Sequence, residues 1–598
     1  FSKLCGMSLN ATRRRVKMFI EDRVEFSLAE EEFFSDYALR SIADSRPIVS
    51  TRLQSFVGTT VTPGVRELMK RYDERSGYTR HTMDFTLEYI VDVLKIQRDV
   101  KPPPKLSDSD PLQLIQDALN VLEPKSAILE TAWHGEMFHR EPLTLTHEVE
   151  FLKTDLLENS VYSGRKYYPS KVFSMVGMPR RQTTKELIHS MAARNFDPPQ
   201  ESGDIDTEAL AKEVIDYWKH ECARPDIEEF LNVCKENPIR FDTRAMADSL
   251  SRMPGKKIKQ LLSGDILSWE WTDTGQLKVT VKTKPKPKVK FSGMYPEIQT
   301  IIFNPGDINM TFTSQFNELH RRIVESLPPN IRFASRVSEK DVGDWATKFS
   351  RLGERYREND YSKYDKGEGY NVMPLERAFY LMFGMEIHEA DLWFSGQDIG
   401  VIRAVSFLFK LHLELQRRSG QLSTLLGNTV VCMLTVWFVY RIKRKDVNWA
   451  LIKGDDSIVA YRALVPYVPG VSERLMFLFG LMGKPEEFKH GYCASRFFIH
   501  TTDGIQWVYD PVLLAVKLGA WLTPADFAVL GEKYDSYKLF ADEYLDYEVR
   551  LGLTEAMLER YSLPVSSGWL LLSGLIQVLS SEKEFRSVWQ TEGKTIGT

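Results

Sequence analysis

Leu451-Ile452-Lys453-Gly454-Asp455-Asp456-Ser457-Ile458-Val459-Ala460 is the stretch on which the reading of this chain turns. Two adjacent acids sit in a Gly-initiated turn between apolar, β-prone runs. Such a pattern predicts a strand–turn–strand that carries carboxylates at its tip, where they can hold divalent cations. A bare Gly-Asp-Asp is weak evidence alone, and the flanking Ile452, Ile458 and Val459 strengthen it.

A second acid cluster lies upstream, in Asn359-Asp360-Tyr361-Ser362-Lys363-Tyr364-Asp365-Lys366-Gly367. The step from Asp360 to Asp365 predicts a strand end passing into a turn. The first acid would face the cations, and the second would sit further into a nucleotide pocket. A solvated charged turn is the other reading of this segment. Mg²⁺ prefers hard oxygens, usually one or two carboxylates completed by substrate phosphates. Nucleotidyl transfer needs two such ions about 3.5–4 Å apart to activate a 3′ hydroxyl and stabilise departing pyrophosphate. A few aspartates from separate segments meet that need, and Asp360, Asp455 and Asp456 are the candidates.

Between the acids runs Arg417-Arg418-Ser419-Gly420-Gln421-Leu422-Ser423-Thr424-Leu425-Leu426-Gly427-Asn428-Thr429. Ser419-Gly420 marks a turn before a helix. Thr424 and Asn428 are four apart and share a helical face. A hydroxyl and an amide there can bond a ribose 2′-OH. Helix capping and core polar satisfaction would account for the same pair.

The segment Lys278 to Lys290 holds six lysines and no acid. Those from Lys282 onward alternate, so an extended backbone would line them along one face. Pro285 and Pro287 bar the segment from a central strand. It reads as a phosphate-facing ribbon or as a solvated basic loop.

The set Asp360-x-Ser-Lys-Tyr-Asp365-Lys, Ser419-Gly420-x₃-Thr424-x₃-Asn428-Thr429 and Gly454-Asp455-Asp456 resembles motifs A, B and C of viral RNA-dependent RNA polymerases. The likeness is to the alphavirus-like superfamily, with the character of tobamovirus replicases. Other stretches agree in order. Met178-Pro179-Arg180-Arg181-Gln182-Thr183 with Arg194-Asn195-Phe196 resembles the start of that polymerase domain. The lysine ribbon with Tyr295-Pro296-Glu297-Ile298-Gln299-Thr300 is similar to motif F, and Arg332-Phe333-Ala334-Ser335-Arg336 continues the basic path. Gly483-Lys484 is placed like motif D, and Gly491-Tyr492-Cys493-Ala494-Ser495-Arg496-Phe497 resembles motif E. Tyr509-Asp510-Pro511 and Lys517-Leu518-Gly519 match the start of a thumb. Two positions depart from the pattern: Gly367 replaces the usual Ser, and Ala494-Ser495-Arg496 replaces Cys-Gly-Arg.

The resemblance implies an α+β right-hand fold of fingers, palm and thumb with a mainly helical N-terminal extension. Fingers would span 175–345, a palm with an interleaved fingers segment 346–505, and a thumb 506–598. Residues 1–100 would be a helical region, remnant or connector after a helicase. Residues 101–174 would be a Pro-rich linker, from Lys101-Pro102-Pro103-Pro104-Lys105, and a helical connector. Asp360 and Asp455 would ligate two Mg²⁺ ions, replaceable by Mn²⁺, with Asp456 beside them. Asp365, Thr424 and Asn428 would select ribose, with Ser419 and Gly420 in the same nucleotide-binding loop. Lys282, Lys286, Lys288 and Arg336 would meet triphosphate and template. Lys484 would protonate pyrophosphate, with Lys489 as the alternative. Template and product RNA, NTPs and a viral methyltransferase/helicase replicase protein or domain would be partners. Host membranes would enter indirectly, at replication complexes in host cytoplasm. A reverse transcriptase-like palm polymerase and a non-catalytic RNA-binding replicase scaffold are the rival readings.

Composition fits this frame. At 598 residues the chain is long enough for several lobes, with 43% hydrophobic and 27% charged residues. A net charge of −4 makes any nucleic-acid footprint local. The five cysteines show no metal-ligand spacing and read as reduced thiols. The most apolar run, Val430 to Tyr440, is shorter than the roughly 20 residues a bilayer span needs, so it reads as a buried helix. No GxxxxGK[ST] loop is present, which excludes a P-loop helicase within this sequence. The chain begins at Phe1 and reads as a piece of something longer.

Overall fold

The computed structural model describes residues 110–122, 150–151, 165–174, 184–191, 194–195, 203–240, 276–282, 299–304, 306–335, 337–351, 353–362, 364–404, 409–414, 416–462 and 468–596, with 244 and 251 between them. The Pro-rich segment at 101–105 and residues 1–100 lie outside the described residues. Among those described, helices and sheets mix as an α+β arrangement.

A five-stranded sheet forms the centre. Its order is Gly483–Phe488, Arg355–Tyr361, Asp456–Tyr461, Val447–Lys453 and Ile331–Phe333. The first four pair antiparallel and the last joins in parallel. Period-two alternation splits the apolar run of the hairpin between two cores. Ala450, Ile452 and Val459 enter the larger one, while Trp449, Leu451, Ile458 and Ala460 enter a smaller one with Phe498, Ile505 and Trp507. Burial on both faces explains why the hairpin reads as nearly continuous apolar sequence rather than as strict alternation.

Across the first face runs the helix Thr424–Val439, every residue of which from Leu426 onward is buried. It packs on the sheet and on the helices Thr207–Glu221, Val372–Met382 and Val471–Phe479. The apolar run near Val430 is therefore a core helix, and among the described residues no helix is long and apolar enough to cross a membrane. Burying each Val, Leu or Met side chain of such a helix contributes about 1.5–3 kcal/mol.

A second sheet has the order Glu150–Phe151, Phe409–Glu414, Ile399–Ala404, Gln276–Val281 and Thr300–Phe303. The strand Gln276–Val281 is flanked on both sides and stops before Lys282, and Pro285 and Pro287 lie outside the described residues.

The C-terminal part begins with a three-stranded sheet of Tyr492–Cys493, Arg496–Thr501 and Gly504–Tyr509. Helices follow from Asp510, whose carboxylate accepts the Val512 N–H at 2.9 Å while Pro511 occupies the first helical position. The helix Pro111–Leu122 closes this bundle by packing on Val565–Val578. Ile115, Ala118 and Leu119 enter that core, and Leu112 and Leu122 pack at its edge. Leu539 faces outward at 66% exposure, while Tyr544 and Leu551 are buried. The four described cysteines are free and buried, and burial pushes the Cys432 thiol up to about 12.

Candidate active site

The hairpin turn contains two residues. Lys453 and Asp456 pair as the last rung, which leaves Gly454 and Asp455 as the loop. Asp456 thus begins a strand instead of sharing the turn with Asp455, a small correction to the sequence reading. Gly454 sits at φ 63°, a left-handed conformation that explains a glycine there.

The adjacent strand Arg355–Tyr361 delivers Asp360. Asn359 pairs with Ser457, so the next step along the antiparallel register brings Asp360 level with Asp456. Residues directly opposite have Cα atoms about 4.5–5.5 Å apart and share a face. On its other side Asp360 pairs with Lys484. Lys484, Asp360, Asp456 and Lys453 therefore form a row across four strands at one end of the sheet, with Asp455 at the adjoining tip. Asp360 and Lys484 are both exposed there.

Among the described residues no group of three or more His, Cys, Asp or Glu side chains is gathered into a ready-made metal cluster. The donor set still fits Mg²⁺. The ion takes few protein carboxylates and fills its octahedron with water and phosphate oxygens. Two carboxylates on facing rungs with a third at the turn supply such donors.

The helix after the hairpin's upstream loop brings the proposed ribose pair together. Asn428 Nδ2 donates to Asp365 Oδ1 at 2.8 Å, and Tyr364 OH donates to the Asn428 carbonyl at 3.3 Å. The Thr424 hydroxyl donates to the Arg418 carbonyl at 2.7 Å, closing the loop, as the capping reading of this residue allows. Ser419 likewise serves the backbone. Its Oγ donates to the Thr300 carbonyl at 3.0 Å and accepts the Ile302 N–H at 3.3 Å. The Gly420 N–H donates to the Ile302 carbonyl at 2.8 Å, and a Cβ at Gly420 would lie 2.7 Å from Ile301 Cγ2. Asn195, singled out in the sequence, bonds Gln416 Oε1 at 3.0 Å and accepts from Thr300 Oγ1 at 3.0 Å, bracing the same loop.

Sequence reasoning missed the ionic support beneath this loop. The Arg417 guanidinium pairs with both Glu368 and Glu376, and all three side chains are at most 1% exposed. The Arg417 N–H also donates to the Asp365 carbonyl at 3.0 Å. Burial pushes the Glu368 carboxyl up, with the Arg417 guanidinium opposing. The signal was present: Glu376 is a lone acid among the buried Val372, Met373, Leu375, Phe379 and Tyr380 of its helix. Gly367 also gains a reason. A Cβ there would come within 3.0 Å of the Gly480 carbonyl oxygen and Leu481 Cδ2.

The basic residues are resolved in part. Lys282 Nζ donates to Gln299 Oε1 at 2.8 Å. Lys286, Lys288 and Arg336 lie outside the described residues, as do Met178 to Thr183. Lys489 is exposed, and its backbone N–H donates to Glu559 at 2.8 Å, at the far end of the strand that carries Lys484.

One sheet end thus sets aspartates from two strands level, beside a helix whose asparagine bonds a third. The chain belongs to the RNA dependent RNA polymerase family, whose model matches residues 147–588. Curated relatives are viral. The chain is 27% identical over 353 residues to the replicase large subunit of tomato mosaic virus (strain L), and the match covers 57% of this chain and 21% of that protein. The replicase large subunits of tomato brown rugose fruit virus and of tobacco mosaic virus (strain vulgare) match equally, at 27% over 350 residues, covering 57% of this chain and 21% of each. The chain thus spans about a fifth of the length of these relatives.

Proposed function

We propose that this chain carries out RNA-templated RNA synthesis for a positive-strand RNA virus, by nucleotidyl transfer from NTP to an RNA 3′ end. The observation that carries the reading is the register that sets Asp360 level with Asp456 beside the Gly454-Asp455 turn. In this reading the central sheet is a palm within 346–505, residues 175–345 are fingers and 506–598 a thumb. Asp360 and Asp455, with Asp456 adjacent, hold two Mg²⁺ ions, and Mn²⁺ is an acceptable substitute. When bound, the ions lower the pKa of the attacking hydroxyl and offset charge on the departing group.

The chain's own residues do the rest. Asp365 and Asn428 hold the ribose, where a 2′-OH satisfies their paired groups and a 2′-H does not. Lys484, beside Asp360 in the ladder, gives a proton to the pyrophosphate oxygen as the bond to the α-phosphorus breaks. Lys282, Lys286, Lys288 and Arg336 neutralise triphosphate and template phosphates. Template RNA and NTPs are the substrates, and replicase methyltransferase and helicase functions are the partners, at membrane-associated complexes in host cytoplasm.

Primer extension on an RNA template with Mg²⁺ tests the reading. The parent chain should incorporate NTPs in preference to dNTPs. Asp455→Ala should lose at least about 10³-fold in rate, in keeping with removal of a ligand essential to metal-assisted transfer. Equal incorporation by both proteins rejects the metal assignment. Preference for dNTPs would instead favour a reverse transcriptase, and RNA binding without synthesis would favour a scaffold.

A further inference from the structure

The turn that carries Asp455 is held from the side by a residue with no role so far. The Gly454 N–H donates to Thr429 Oγ1 at 2.9 Å, and this contact is buried. The Thr429 hydroxyl in turn donates to the Leu425 carbonyl at 2.6 Å, which commits its proton to the helix and aims a lone pair at the glycine. Thr429 is only 4% exposed, so water does not replace it. Three residues further along, Cys432 Sγ lies 3.7 Å from the Asp455 carbonyl oxygen. Positions three apart share a helical face. One face of the helix Thr424–Val439 therefore touches both residues of the loop.

The neighbouring residue faces elsewhere. Asn428 bonds Asp365, not the turn. Two consecutive side chains on one helix thus reach the two halves of the site separately. We infer that Thr429 is a positioning residue: its hydroxyl fixes the Gly454-Asp455 turn and so sets where the Asp455 carboxylate stands. Without that acceptor the Gly454 N–H is buried and unpaired. Small displacements of a positioned group cost as much as about 10²-fold in rate.

The kinetic arm rests on the polymerase reading; the exchange arm does not. Thr429→Val keeps the shape and deletes the hydroxyl, and Thr429→Ser keeps the hydroxyl. In the full chain, hydrogen exchange of the peptide spanning 451–458 should speed up about tenfold or more in Thr429→Val and match the parent in Thr429→Ser. Primer extension by Thr429→Val should slow by about 10- to 100-fold, with a higher Mg²⁺ half-saturation. Its preference for NTP over dNTP should remain, because the Asn428–Asp365 bond does not pass through the hydroxyl. Thr429→Ser should restore both rate and Mg²⁺ dependence.

Parent-like exchange and Mg²⁺ dependence in Thr429→Val overturn the inference. So does equal damage in Thr429→Ser, or a loss of ribose preference as large as the loss of rate, since either marks general disturbance of the helix. Where Thr429→Val does not fold, the parent decides: a Gly454 amide that exchanges at the rate of a free turn amide overturns the inference, and a protected one sustains it. A parent that fails to extend primers defeats the polymerase reading and leaves the exchange comparison standing.

Discussion

Ala494 and Ser495 occupy left-handed backbone, at φ 53° and 65°, in the two-residue turn between Cys493 and Arg496. An L-residue there costs roughly 1–2 kcal/mol, and glycine avoids the clash between Cβ and the following carbonyl. The departure from a Cys-Gly-Arg pattern at this position is thus a strained one. Ser495→Gly should raise stability by about 1 kcal/mol, less the entropy a glycine loses on folding. A thermal melt reads it, and a lowered midpoint would show that Ser495 has a compensating role. The same residues mark what a sequence conveys at this scale. Asp360, Asp365, Asn428 and Asp455 were legible because their chemistry is carried by their type and order. That the Ser419 hydroxyl serves backbone groups was not, and for Thr424 it stood only as one of two readings, because a hydroxyl spaced for a ligand is spaced equally well for a loop.

At the scale of elements, the hairpin and the helix Thr424–Val439 were readable from β-branched runs and from an unbroken apolar stretch. The ion cluster beneath them was hidden, since Arg417 lies 49 residues from Glu368 and 41 from Glu376 and a charge is ordinarily solvated. It joins three elements: the short helix Tyr364–Gly367 with its following turn, the helix Val372–Met382, and the loop before Thr424. A Cβ on Gly427 would meet Glu376 Oε1 at 2.5 Å and Arg417 Nη1 at 2.6 Å, so the cluster also fits the helix closely. Arg417→Met strands two buried carboxylates without a cation. It should destabilise the chain by about 3–5 kcal/mol, seen as a lower denaturant midpoint. Combining it with Glu368→Gln and Glu376→Gln should return a large share of that loss, because the neutral amides no longer repel. A single Arg417→Met within about 1 kcal/mol of the parent would mean that the three charges do not stabilise the loop together.

At the scale of the molecule, early and late described segments meet across distances that no local pattern encodes. The helix Pro111–Leu122 packs on Val565–Val578, and the strand Arg165–Tyr167 pairs with Lys594–Ile596. One long side chain reaches from the C-terminal helices to the central sheet. Arg560, near the end of the helix Tyr547–Tyr561, donates to Glu358 Oε2 at 2.7 Å. Its guanidinium lies 3.8 Å from the centre of the Tyr492 ring and 4.8 Å from that of Phe488. Burial pushes the Glu358 carboxyl up from 4.5 to about 7, and Arg560 restrains the rise. The folded chain therefore keeps this proton between about pH 4.5 and 7, while the unfolded chain has released it. The contribution is fully present below the unfolded value and declines as pH rises to about 7, by no more than about 3 kcal/mol. Arg560→Met removes the restraint, so the carboxyl should stay neutral to higher pH and the decline should continue past 7. Denaturant unfolding from pH 5 to 8.5 checks this. Arg560→Met should diverge from the parent as pH rises, and Glu358→Gln in the Arg560→Met background should flatten the difference. Parallel profiles for the parent and Arg560→Met would mean that the arginine acts through its ring contacts with Tyr492 and Phe488 rather than through its charge on Glu358.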